Sequence, residues 1–169
     1  MQTTLSSTDL PHAARAHSHS MPWLLLGGYT VATLDMLCAI AYWAPRGVDA
    51  SRVLQSIPAW FLGPAAYAGG IATAVLGALL YGHLMWGVVA LYHALSRRHP
   101  VLLRKPILYG ACYGALAYFA IFGGLASLLS GKPASLGEPA WILTCVVVYM
   151  ILVGIPCALF SRAASAKRG

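Results

Sequence analysis

Apolar positions along the chain gather into four long runs, each ended by Pro, Gly, Lys or Arg. The first goes from Trp23 to Trp43, broken only by Asp35, with a tryptophan at each end where a membrane interface would place one. The second extends from about Tyr67 to Leu95 and stops at Ser96-Arg97-Arg98-His99-Pro100. The third begins near Ile107, after Arg104-Lys105-Pro106, and ends at Leu129 before Ser130-Gly131-Lys132-Pro133. The fourth covers Ala140 to Phe160 and is followed by Arg162, Lys167 and Arg168. A bilayer-crossing helix needs about 20 apolar residues, so each run is long enough to cross. The pattern predicts an all-α integral membrane protein, four transmembrane helices in a bundle, with the membrane domain over 21–162.

Between and around the runs the pattern changes. Residues 1–20 are rich in Ser, Thr and His and show no helical period, which predicts a flexible tail. His12, His17 and His19 lie in it without Cys or carboxylates at ligand spacing, so a solvated tail fits better than a metal site. From Pro45 to Pro64, Val53, Leu54, Ile57, Trp60, Phe61 and Leu62 recur at three and four residues beside Arg46, Asp49 and Arg52. That suits a short interfacial helix on the membrane surface, broken near Pro58; a packed loop satisfies it too. The first run is longer than a signal peptide's apolar region and ends at Tyr42-Trp43-Ala44, not at a small-x-small cleavage site. It is expected to be retained.

Composition sharpens this picture. Of 169 residues, 59% are hydrophobic and 9% charged, too little polar surface for a soluble domain of this size. The net charge of +7 sits in short clusters flanking the apolar runs, as in loops that fix membrane orientation, and so argues against nucleic acid as a partner. With four spans, Arg15, Arg97, Arg98, Arg104, Lys105, Arg162, Lys167 and Arg168 share one side and Arg46, Arg52 and Lys132 the other. Eight against three predicts that both termini, including a basic tail over 163–169, are cytoplasmic. Cys38, Cys112, Cys145 and Cys157 fall in apolar stretches and form no CxxC pair, so they read as small hydrophobes.

Candidate chemistry is sparse. Asp35 is the one acid inside a run, twelve residues past Trp23 and so roughly 18 Å deep at 1.5 Å per residue. An acid there costs about 2.5 to 3.5 kcal/mol on an insertion scale and should face protein or water. Gly28, Val31, Ala32, Cys38, Ala39 and Tyr42 share its face and are mostly small. His83 sits at similar depth in the second run, on a stripe of Ala65, Gly69, Ala72, Leu76, Gly87, Ala90 and Ala94. Meeting each other is the simplest way for either Asp35 or His83 to stay charged, as a proton- or cation-handling pair, and a structural hydrogen bond satisfies the pair too. His93, beside Arg97 and Arg98, is expected at the interface. Bis-histidine haem needs ligands on facing helices, which the other three runs lack, so no cofactor or metal is expected. Gly110 and Gly114 form a GxxxG suited to a close helix contact. No HExxH, GxSxG, Walker loop or paired carboxylates occur, and no enzymatic activity is expected.

The stretch from Ser51 to Leu102, with its RVLQ segment and glycine placement, and the later VGIPCALFSR resemble a widespread group of small bacterial four-span inner-membrane proteins and, more distantly, the YagU-type membrane proteins. The resemblance implies a four-span inner-membrane fold without a catalytic motif. Such relatives carry a histidine four residues after the glycine matching Gly77 and another five before that matching Gly154. Here Tyr81 and Tyr149 stand at those positions, implying a lost or altered role. The YagU likeness further implies a link with acid tolerance. The leading expectation is an interaction or stress-related membrane protein, associating with itself or with other membrane proteins. Its rival, by analogy with small multidrug carriers, is a small dimeric proton-coupled transporter using Asp35.

Overall fold

A computed structural model describes residues 10–132 and 138–166, with side chains over 21–132 and 138–165. The expected tail over 1–9, Lys167, Arg168 and part of the loop after Ser130 lie outside the described residues, as do the side chains of His12, Arg15, His17 and His19. Among the described residues the chain is helical without strands, and four helices are long and apolar enough to cross a bilayer: Met21–Arg46, Gly70–Arg98, Pro106–Ser130 and Pro139–Ser165. The protein is an all-α membrane bundle of four spans. Ile71, Leu116 and Leu128 point outward at 77%, 69% and 82% exposure, with Leu26, Leu37, Leu79 and Leu143. An apolar surface this extensive belongs in lipid.

The fourth span is the most apolar and lies centrally, packed against each of the other three. The first span also packs along the second. Tyr113 of the third donates to the Val88 carbonyl of the second at 2.7 Å. One end of the bundle carries Arg97, Arg98, Arg104, Lys105 and Arg162 and is called the basic end below. The opposite, aromatic end carries Tyr42, Trp43, Trp60, Tyr67 and Trp141. Its arginines lie on rings, Arg46 3.9 Å from the Tyr42 centroid and Arg52 4.7 Å from that of Tyr67.

Three boundaries depart from the sequence pattern. The first helix begins at Leu10, inside the segment read as a tail, and passes through Pro22. Once a span is formed, adding residues such as Ala13, Ala14 and Ala16 needs no new nucleus. The second span starts at Gly70 and not at Tyr67. Gly70 has φ +57°, a left-handed conformation open to glycine, and this turn separates the span from the tight helical turn at Gly63–Ala68. The segment after the first span forms two short helices, Ala50–Gln55 and Ala59–Leu62, and is packed rather than laid flat. Gln55, Ile57 and Pro58 are buried, and Gln55 Nε2 donates to the Gly70 carbonyl (2.8 Å) and to Thr73 Oγ1 (3.2 Å). The Leu54 carbonyl lies where a Cβ on Gly77 would stand, so the absence of that atom lets the segment dip beside the second span.

The third and fourth spans each contain a widened, π-helical stretch, Phe119–Leu125 and Tyr149–Gly154. Pro156 accounts for the second, because its ring crowds the carbonyl four residues earlier and it has no N–H to return. The first part of the third span meets the widened stretch of the fourth backbone to backbone. A Cβ on Gly110 would lie 2.7 Å from the Gly154 carbonyl oxygen, and one on Gly114 3.0 Å from the Met150 Cα. Gly154 is equally confined by Gly110 and Gly114. The GxxxG therefore lies in a contact inside the monomer, completed by a glycine of the fourth span. Gly123 and Gly124 meet nothing within 4 Å.

Candidate functional site

Asp35 lies eleven residues in from Arg46, Tyr81 eleven from Gly70 and Tyr149 ten from Pro139, so three spans bring a polar side chain to one level, roughly 16 Å below the aromatic end. Asp35 is buried at 8% exposure, and Tyr81 and Tyr149 at 2% each. The Tyr81 hydroxyl donates to Asp35 Oδ2 and lies 2.8 Å from the Tyr149 hydroxyl. Since Tyr81 has one proton and gives it to the carboxylate, Tyr149 donates to Tyr81, and the chain of hydrogen bonds converges on Asp35. No cation among the described residues pairs with Asp35; the Tyr81 hydroxyl takes that place.

Each member is set by its helix. Val31 and Ala32 bury the same face of the first span as Asp35, with Gly28 tight against the Trp86 backbone. Tyr81 shares its face with Gly77, Met85 and Val88, all buried. Tyr149 opens the widened stretch of the fourth span, its ring 5.5 Å from Tyr118 and 5.9 Å from Phe122, both edge-on. Widened turns recur at functional sites because they leave backbone groups outside the regular ladder and re-aim side chains.

The other side of Asp35 borders a cavity of about 50 Å³, lined also by Cys38, Tyr42, Phe122, Trp141, Thr144 and Tyr149. That is room for a few waters or one small ion. A larger hollow of about 510 Å³ opens at the aromatic end between Trp43, Arg52, Ser56, Trp60 and Tyr67. Phe122 and Trp141 line both. Trp141 packs on Tyr42 (4.4 Å) and Trp43 (5.2 Å), and Phe122 reaches from Trp60 (5.8 Å) to Tyr149, so these two rings form the partition. A third hollow, about 210 Å³, lies between the first two spans against Tyr29, Thr33, Leu54 and Tyr81.

The structure does not bring His83 to Asp35. His83 is exposed, its Nδ1 donates to the Leu79 carbonyl of its own helix at 2.8 Å, and its ring meets Tyr29 edge-on at 6.2 Å. Two residues on an α-helix turn about 200°, so with Tyr81 facing inward His83 must face out. Its stripe goes with it: Ala72, Leu76, Gly87 and Ala94 are exposed. His93, expected at the interface, is buried at 5% because it shares the face of Val89, Tyr92 and Ser96 against the fourth span. The four cysteines are free, and no three His, Cys, Asp or Glu side chains gather as metal ligands among the described residues.

In the sequence Tyr81 and Tyr149 stood out as departures from the histidines that the resemblance implies. A physical signal was also there, since tyrosine favours the membrane interface and one at mid-span needs a partner for its hydroxyl. Neither a family model, nor a curated protein, nor a solved structure matches this chain.

Proposed function

We propose that the chain is a multi-pass protein of a bacterial inner membrane that handles protons at Asp35, as a small proton-coupled transporter. The observation that carries this reading is a membrane-depth carboxylate held by a tyrosine hydroxyl that a second tyrosine supports, not by a cation, beside a cavity. A carboxylate paired with Lys or Arg would serve structure. One held by Tyr81 has no countercharge of its own, so it becomes neutral by taking up a proton or a cation. Protonated Asp35 donates to Tyr81, which then donates to Tyr149, so the whole chain reverses direction with one proton.

The basic asymmetry supports cytoplasmic termini, which turns the aromatic end outward. A role in acid tolerance, as the YagU likeness implies, accords with a proton site. The association reading rests on a different observation: the stripe with His83 and Gly87 is exposed, and a Cβ on Gly87 would meet nothing, leaving a small-residue face open to a second helix.

The test is proton uptake under an imposed gradient into proteoliposomes loaded with a pH-sensitive dye and a panel of small organic cations that can exchange for the proton. Wild type and His83→Ala should conduct, and Asp35→Asn should not while retaining a cooperative melting curve. Equal uptake by wild type and Asp35→Asn would remove the transport reading and leave association.

A further inference from the structure

We infer that the Asp35 cavity takes a small primary ammonium ion, entering from the aromatic end past Trp141 and Phe122, in exchange for one proton. The inference rests on the proton-site reading and adds the ligand class and the route.

Charge fixes the valence. The site has one carboxylate and no second acid within the spans, so it is neutral with one proton or with one monovalent cation. A divalent ion would leave a net positive charge at mid-membrane depth, which lipid disfavours. The exchange balances: the proton leaves Asp35 as the cation arrives, and the site's net charge stays at zero.

The lining fixes the chemistry. A sodium or potassium ion needs an almost complete shell of oxygens, whereas the oxygen-bearing side chains among the described residues that line this cavity are only Asp35, Tyr42, Thr144 and Tyr149, and the Thr144 hydroxyl proton goes to the Ala140 carbonyl at 2.8 Å. The remaining surface is largely ring: Tyr42, Phe122, Trp141 and Tyr149. Aromatic faces attract soft, weakly hydrated cations, and an ammonium group adds N–H donors for the carboxylate. Rings at this end already carry cations, as Arg46 lies over Tyr42 and Arg52 over Tyr67.

Size fixes the head group. About 50 Å³ beside Asp35 admits an ammonium bearing one methyl or methylene, and any longer body extends into the 510 Å³ hollow beyond Trp141. No carboxylate among the described residues lines that hollow, so a second ammonium group on the body would have no counter-ion there. A monoamine is therefore the class that fits, and a polyamine does not.

The experiment uses the full chain in lipid nanodiscs, radiolabelled methylammonium as the probe, and infrared difference spectra to follow protonation of the carboxyl group. Wild type should bind one methylammonium saturably and release one proton. Apparent affinity should fall about tenfold per pH unit wherever the proton holds the site. Tetramethylammonium, which has no N–H, should compete at least tenfold more weakly, and Asp35→Asn should abolish binding. Because Asp35→Asn also alters the polar core, Trp141→Leu provides a second arm. It leaves the carboxylate in place and should weaken binding five- to tenfold. A carboxyl band that responds to pH and is lost in Asp35→Asn, with no methylammonium bound by wild type, overturns the ammonium site and leaves the proton site standing. No pH-dependent carboxyl band and no binding overturns both. Equal binding by wild type and Asp35→Asn places the cation elsewhere and overturns the inference.

Discussion

Gly114 of the third span lies against the backbone carbonyl of Tyr149, whose hydroxyl begins the chain of hydrogen bonds ending on Asp35. Helix contact and polar site are thus joined through one residue. Gly114→Leu has no flexible neighbour to displace, since the nearest atoms are backbone, and should destabilise by at least the roughly 1 to 3 kcal/mol typical of overpacking. Leu116→Ala, on the lipid face, should have little effect. Thermal aggregation in detergent compares the two, and equal melting would mean that the glycine contact is not made.

Removing one hydroxyl from the polar chain should be felt unequally. Tyr81→Phe leaves Asp35 and Tyr149 each without a partner and should cost about 1 to 3 kcal/mol. Tyr149→Phe keeps the bond from Tyr81 to Asp35 and should cost less. The double variant should fall short of the sum, since both act on one network. Additive losses in chemical denaturation would show two independent tyrosines.

His83→Ala should leave both the stability gap between Tyr81→Phe and wild type and the carboxyl infrared band unchanged, because His83 bonds only its own helix in the described structure. A shifted band would place His83 within reach of Asp35 after all.

Gln55 fastens the segment between the first two spans to the start of the second. Gln55→Ala should cost about 1 to 3 kcal/mol and, by loosening the short helix that carries the exposed Arg52, speed trypsin cleavage after it. Cleavage no faster than in wild type would show that packing of Leu54 and Pro58 suffices to hold the segment.

Orientation can be read with single cysteines at exposed Ser51 and His99 in a background without native cysteines. An impermeant thiol reagent applied outside intact cells should label Ser51→Cys and spare His99→Cys. The reverse result would invert the bundle.

Sequence alone carried the four spans because hydropathy over twenty residues is a large, additive signal. It also carried the inward face of Asp35, where small residues and the cost of an exposed acid agree, and the close contact at Gly110 and Gly114. It misplaced His83, because a small-residue stripe marks a face that allows close approach without saying which neighbour occupies it. Its position near the middle of the second run put His83 level with Asp35, but rotation about the helix axis, not depth, decides contact. The packing of Gln55 and Leu54 was hidden for another reason. It depends on a left-handed turn at Gly70 and a missing Cβ at Gly77, local features that periodicity averages away.

The widened stretch at Tyr149–Gly154 changes how the fourth span can be mapped. A π-helical turn holds more residues than an α-turn, so the angular phase of the helix slips across it. In a tryptophan or cysteine scan from Pro139 to Ser165, tolerant and intolerant positions should alternate with one phase through Val148 and resume after Gly154 with another. A single wheel fitted to the whole span would then rank some lipid-facing positions as critical and some contact positions as free. Fitted as two half-helices, the same scan should resolve into two clean faces.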